Sequence, residues 1–175
     1  MSLLKIKPSD HVKGNEKAPI ELVEFGDYQC SYCRQAYYIV KDLQEKLGDN
    51  LRFAFRNYPL EDIHPNAMHA AIAAETAATM GKFWEMHDIL FENQQSLDDS
   101  SLINYAKEIG LDTNSFEKEF GSQPTIDKVE YDISSGNRLG VAGTPTFFVN
   151  GKYFNGNWMN TDFLTYLKSF IKSDI

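Results

Sequence analysis

The period of apolar and polar residues changes several times along this chain, and each change marks an element. Ile20-Glu21-Leu22-Val23-Glu24-Phe25 is short, apolar and partly alternating, then broken by Gly26-Asp27, which predicts a strand. Over residues 30–47 the apolar positions Tyr37, Val40, Leu43 and Leu47 recur at spacings of three and four, and Gly48 sits where a helix stops. Residues 51–58 alternate and end at Pro59, giving a second strand. Strand, helix and strand form a β-α-β unit, which implies a parallel pair with a right-handed crossover.

The middle of the chain has helical periodicity throughout. Residues 66–80 are alanine-rich, with Ala67, Ala70, Ala71, Ala74 and Ala78 on one close-packing face. Gly81 breaks the run, and residues 83–94 resume it with Phe83, Trp84, Met86 and Phe91, which read as core. A helix over 100–109 ends at Gly110. Asp112 or Thr113 caps a short one through 120, and Pro124 opens another to about 139. Strand character returns at 146–149, Asn150-Gly151 is a two-residue hairpin signal, and 152–155 is its return strand. Residues 161–171 carry an amphipathic stripe with Thr161 as cap. The first dozen residues are polar and punctuated by Pro8, Gly14 and Pro19. The expected organisation is a lead-in over 1–17 and one α/β domain over 18–175, with an all-helical insertion at about 62–139.

Composition narrows the function classes. The chain has 175 residues, with 42% hydrophobic and 13% aromatic, enough for one cored domain. Lys and Arg total 17 against 25 Asp and Glu, a net charge of −8, which argues against a nucleic-acid backbone binder and leaves a protein partner open. No apolar run reaches the length of a membrane span. Residues Met1 to Pro8 do not read as a secretory signal as they stand. A cytoplasmic location follows if the chain is complete, and the cell envelope or periplasm is favoured if a signal or fused domain was removed. Two cysteines rule out a multi-disulfide scaffold.

Both cysteines fall within Cys30-Ser31-Tyr32-Cys33, just after a strand and a turn, where a helix begins. The first helical turn has unpaired amide donors and partial positive charge, which lower a thiol pKa. Residues three apart share a helix face, with Cα atoms about 5 to 6 Å apart, within disulfide range. Cys30, nearer the helix end, is expected to attack, and Cys33, deeper, to resolve the mixed disulfide. Two other readings compete. Zinc needs four ligands, and His64 and His69 complete no common spacing with one Cys-x-x-Cys. A purely structural clip would close so short a loop that it stabilises little. Val141-Ala142-Gly143-Thr144-Pro145-Thr146 is a second signal. A proline before an apolar strand suits either an ordinary trans turn or a built cis bond.

Cys-x-x-Cys after the first strand, a helical insertion, Gly-Thr-Pro-Thr-Phe-Phe, Asn-Gly and a final helix resemble the DsbA-like branch of the thioredoxin superfamily from about Ala18 to the C-terminus. Residues 23–28, 56–60, 64–67 and 83–87 carry further similar runs, in a bacterial subgroup of thiol-disulfide oxidoreductases. Its members occur alone in the cell envelope, and similar domains are appended to some sodium/proton antiporters. The resemblance implies a thioredoxin fold and thiol-disulfide exchange on protein substrates, with oxidation the expected direction. It implies that Pro145 is the family's cis-proline and that Thr144 pairs its backbone with an extended substrate segment. Glu24 sits at the family's buried acid, expected to move the proton of Cys33. Ser31 and Tyr32 replace the proline-histidine of strong oxidants, so no cation lies between the thiols and the couple is expected to be less oxidising.

No cofactor or metal is implied, because the dithiol carries both electrons. The expected partners are protein thiols or disulfides, with a membrane redox protein as a further candidate; nucleic acid is not expected. Two other functions remain: a redox-sensing regulatory domain of a sodium/proton antiporter, and glutathione-linked thiol transfer, for which no glutathione site is recognisable. His64, His69 and His87 read as helix-packing or capping residues more than as a gate. Tyr28, Phe154 and Trp158 are candidates for an apolar rim around the thiols.

Overall fold

The computed structural model describes residues 4–171. In chain order its elements are β1 (His11–Gly14), β2 (Ile20–Gly26), α1 (Ser31–Leu47), β3 (Leu51–Asn57), α2 (Ala67–Thr79), α3 (Phe83–Glu92), α4 (Asp99–Glu108), α5 (Thr113–Glu119), α6 (Gln123–Arg138), β4 (Thr146–Val149), β5 (Lys152–Tyr153) and α7 (Thr161–Lys168). They group into two units. One comprises the chain through Phe25, Gln35–Arg56 and the chain from Pro145 onward; the other comprises Gly26–Arg34 and Asn57–Thr144.

The first unit is built on a five-stranded sheet in the order β1-β3-β2-β4-β5. The expected β-α-β pair, β2 and β3, stand side by side, and β4 runs antiparallel to β2 with Glu24 opposite Phe147. Both faces of β2, β3 and β4 are covered, so Val23, Ala54 and Phe148 are as hidden as Leu22, Phe53 and Phe147. Asn150 (φ 47°) and Gly151 (φ 79°) both take the left-handed conformation that the β4–β5 turn needs. Asn150 also ties the hairpin to β2: its Oδ1 accepts from Glu21 N at 2.7 Å. The return strand is shorter than expected, Lys152–Tyr153, and Phe154 turns inward against Phe163, ring centroids 4.6 Å apart. The helix α7 ends at Lys168, and Asn160, rather than Thr161, caps it by accepting from Asp162 N.

The lead-in over 1–17 is corrected in part: residues 11–14 are a strand. β1 pairs antiparallel with β3 from His11↔Phe55 to Gly14↔Arg52. Its polar, four-residue sequence is what an exposed edge strand tolerates, and that hid it. The preceding segment is anchored too. Leu4 is buried, and the wholly buried Arg56 holds Asp10 in a fork, Nε to Oδ1 at 3.0 Å and Nη2 to Oδ2 at 2.7 Å. Residues 1–3 and 172–175 lie outside the described residues.

The second unit is the helical block. Ala67, Ala70, Ala71, Ala73, Ala74 and Ala77 are all buried, so α2 is covered over most of its surface and packs against α3, α4 and α6. Small side chains allow that close approach. Asp98 and Asp112 cap α4 and α5 by accepting from Ser101 N and Ser115 N. Phe83, Met86 and Phe91 are core, as the spacing predicts. Among them runs a buried polar chain. Lys128 Nζ lies 2.7 Å from Asp132 Oδ2, which also accepts from Asn57 N at 3.1 Å, while Asn57 Nδ2 donates to Glu75 Oε1 at 2.6 Å. Burial raises the Asp132 carboxyl to about 6 against the pull of Lys128.

Candidate active site

Between β2 and α1 the chain makes one tight turn, Asp27–Cys30. Asp27 Oδ1 accepts from Gln29 N at 2.7 Å, an Asx turn, and Asp27 O accepts from Cys30 N at 3.1 Å. Cys30 O then accepts from Arg34 N at 3.2 Å, the first rung of α1. Cys30 therefore stands at the mouth of the helix, whose first residue is Ser31, one later than expected, and Cys33 lies within its first turn. Both are free thiols. Both are buried, with exposures of 6% for Cys30 and 0% for Cys33. Ser31 and Tyr32 between them are exposed.

The Cys30 thiol is lowered from 9.0 to about 5. Its largest cause is a hydrogen bond from the Cys33 side chain; burial works against it, and the Thr144 side chain and the backbone N–H groups of Cys33 and Tyr32 add smaller contributions. The helix-start amides thus contribute, but the neighbouring thiol contributes more. Cys30 Sγ lies 3.4 Å from Thr144 O and donates to it only while protonated, so ionisation frees the Thr144 carbonyl. The absence of a cation between the thiols does not leave Cys30 un-ionised at neutral pH. The donor set around the sulfur is the reason, in line with the lowered thiol expected at the helix start.

Cys30, Cys33 and Thr144 thus come together within one unit, with Ser31 and Tyr32 on its surface. Glu24 and Pro145 belong to the sheet unit. Glu24 is 2% exposed on β2, so it is a buried acid, and Pro145 directly precedes β4. Tyr28 is not a rim residue. It is 1% exposed, its ring lies 4.8 Å from that of Phe91, and its hydroxyl is 3.1 Å from His87 Nδ1. Trp158 and Phe154, half-buried, pack their rings toward Phe147 and Phe163. His69 is exposed beside Asp99, and His87 packs in the helical core.

The residues that hold the thiol loop were not all legible. Gln94, just past α3, donates from Nε2 to Tyr28 O at 2.8 Å and to Cys30 O at 2.7 Å. Asp27 Oδ2 accepts from Leu60 N and lies 2.8 Å from His64 Nδ1. Asp27 N donates to Cys33 Sγ at 3.4 Å. The Asp27-x-Gln29 turn had a local signal; Gln94 and His64 had none, because their partners are some 64 and 37 residues away. Among the described residues no group of three or more His, Cys, Asp or Glu side chains is arranged to hold a metal ion.

A family model described as thioredoxin matches residues 7–169. The chain belongs to the thioredoxin family. Two relatives are each 40% identical over 149 residues, 85% of this chain: the Na(+)/H(+) antiporter NhaA 1 of Salinispora arenicola, of which that stretch is 23%, and the Na(+)/H(+) antiporter NhaA of Herminiimonas arsenicoxydans, of which it is 24%. The chain spans about a quarter of the length of the curated relatives it matches. A thioredoxin-like oxidoreductase from Silicibacter pomeroyi superposes with a TM-score of 0.82 at 27% identity, covering 93% of this chain and 92% of that one. Oxidised BdbD from Bacillus subtilis superposes with a TM-score of 0.80 at 25% identity and the same coverage. The α-DsbA1 of Wolbachia pipientis, 21% identical, shares the fold at a TM-score of 0.81, covering 95% and 93%. By family and fold, this chain is similar to thioredoxin-like oxidoreductases.

Proposed function

We propose that the protein exchanges disulfides with protein substrates through Cys30 and Cys33, in the disulfide-forming direction. One observation carries the reading: the Cys30 thiol, lowered to about 5, stands at a helix mouth with Cys33 as its first hydrogen-bond partner. A substrate thiolate attacks Cys30 Sγ of the Cys30–Cys33 disulfide, and Cys33 leaves with the electron pair. A second substrate thiolate then attacks the substrate sulfur of the mixed disulfide and expels Cys30 as thiolate. The substrate is oxidised by two electrons and the protein dithiol holds them. An ionised Cys30 is a good leaving group and stabilises the reduced protein, which favours oxidation of substrate.

In this reading Thr144 offers its main chain to an extended substrate segment. Pro145, which has no N–H, leaves that stretch without a competing donor. Ser31 and Tyr32, exposed between the sulfurs, are the side chains a substrate meets first. Glu24, buried on β2, takes and returns the proton of Cys33.

The test is equilibration with glutathione buffers and turnover of a reduced, unfolded protein into its disulfide form. Cys33→Ser is expected to accumulate mixed disulfides at Cys30. If Cys30→Ser does so instead, the two roles are exchanged. A second reading is favoured by the 40% identity to sequences named as antiporters: a redox-sensing domain attached to a membrane transporter. Steady turnover by the isolated chain counts against it, and a stoichiometric, non-catalytic oxidation supports it.

A further inference from the structure

The reacting sulfur that needs the most help is Cys33. It is fully buried, yet it holds the electron pair each time the Cys30–Cys33 disulfide opens. Removing a negative charge from water requires donors fixed in place. The Asp27 main-chain N–H donates to Cys33 Sγ at 3.4 Å.

What holds that amide is unusual for a four-residue turn. The Asp27 carboxylate is fully buried and accepts three hydrogen bonds. Gln29 N donates to Oδ1 at 2.7 Å, Leu60 N donates to Oδ2 at 2.8 Å, and His64 Nδ1 donates to the same oxygen at 2.8 Å. Leu60 and His64 reach it together because residues 60–64 form a tight turn, closed by His64 N donating to Leu60 O at 2.9 Å. Gln29, in turn, accepts from Asn66 N at 2.7 Å through Oε1. The segment leading into α2 therefore grips the thiol loop from outside.

Resting on the exchange reading above, we infer that His64 is a positioning residue. By holding the Asp27 carboxylate, it keeps the Asp27 amide aimed at Cys33 and so stabilises the Cys33 thiolate as leaving group and nucleophile. When a thiolate attacks Cys30 Sγ, the S–S bond breaks and the pair goes to Cys33, which this amide receives. In reverse, the Cys33 thiolate attacks Cys30 Sγ of a mixed disulfide and expels the substrate thiolate. No external oxidant or proton is needed in either step. His64 is only partly covered, so its replacement leaves the core intact.

The test begins with the Cys30→Ser protein, where Cys33 is the remaining thiol and its ultraviolet thiolate absorbance gives its titration midpoint. His64→Ala is expected to raise that midpoint by about half a unit to one unit, and Asp27→Ala by at least as much. In the two-cysteine protein, His64→Ala is expected to slow opening of the disulfide by a monothiol about fivefold. The alkylation midpoint of Cys30 stays where it was. His64→Asn, whose Nδ2 can donate to Oδ2 in place of Nδ1, is expected to recover most of both effects. An unmoved Cys33 midpoint in His64→Ala overturns the inference, and so does a Cys30 midpoint that moves equally, because that is general loosening of the loop. The two readings fail separately. A wild-type disulfide that no thiol opens defeats the exchange reading, while the Cys33 titration still decides the role of His64.

Discussion

Replacing Cys33 with alanine removes the largest cause of the Cys30 shift and leaves the others in place. In the intact dithiol, Cys30 ionises at about 5 in place of 9.0. Neutral pH lies about 2 units above the first value and about 2 below the second, so ionisation stabilises the reduced form by about 3 kcal/mol at pH 7. For a two-electron couple this makes the disulfide more oxidising by about 60 mV than a pair with ordinary thiols. A cysteine depressed on folding contributes stability that is complete above 9.0 and lost as pH falls through about 5. Reduced protein is therefore expected to lose its stability advantage over oxidised protein between those limits as pH falls.

The assay is the rate of iodoacetamide alkylation against pH, paired with the equilibrium against glutathione. The wild-type midpoint is expected near 5, with the potential falling by about 60 mV per pH unit below it and about 30 mV above it. In Cys33→Ala the midpoint is expected to rise but to remain under 9.0, because the backbone N–H groups of residues 32 and 33 and the Thr144 side chain still face the sulfur. A wild-type midpoint near 9, or an unmoved midpoint in Cys33→Ala, refutes the electrostatic account of this thiol.

Three further outcomes follow from buried groups. Glu24→Gln is expected to slow exchange at least about tenfold at an unchanged melting temperature; an equal rate returns Glu24 to packing alone. Gln94→Leu strands the carbonyls of Tyr28 and Cys30 and is expected to cost about 2 kcal/mol in urea unfolding, with no loss expected if water reaches both. Asp132, raised to about 6 by burial, contributes stability that is complete below 3.8 and lost as pH rises through about 6. Asp132→Asn in the oxidised protein is therefore expected to flatten the stability–pH curve between pH 4 and 7, a span of about 3 kcal/mol. A curve of unchanged slope assigns that dependence to other groups.

Local pattern carried most of the elements. Alternation at 51–57, three–four spacing at 37–47, Asn150-Gly151 and the aspartate cap at 112 each act within a few residues, where backbone conformation is decided. The strand at 11–14 escaped because an edge strand needs little apolar pattern. Tyr28 was misread for a related reason. An aromatic residue beside two cysteines can face solvent or core, and only its partners His87 and Phe91, some sixty residues on, decide which.

The dithiol itself was readable because four consecutive residues at a strand-to-helix junction specify it: the spacing, the helix start and the order of the two sulfurs are all local. Its ionisation and its grip were not. Those depend on Thr144, Gln94, Leu60 and His64, which come from distant parts of the chain and meet the turn at Asp27–Cys30 only after the helical block has folded. A hydrogen bond requires two atoms within about 3.5 Å, and separation along the chain does not encode that distance.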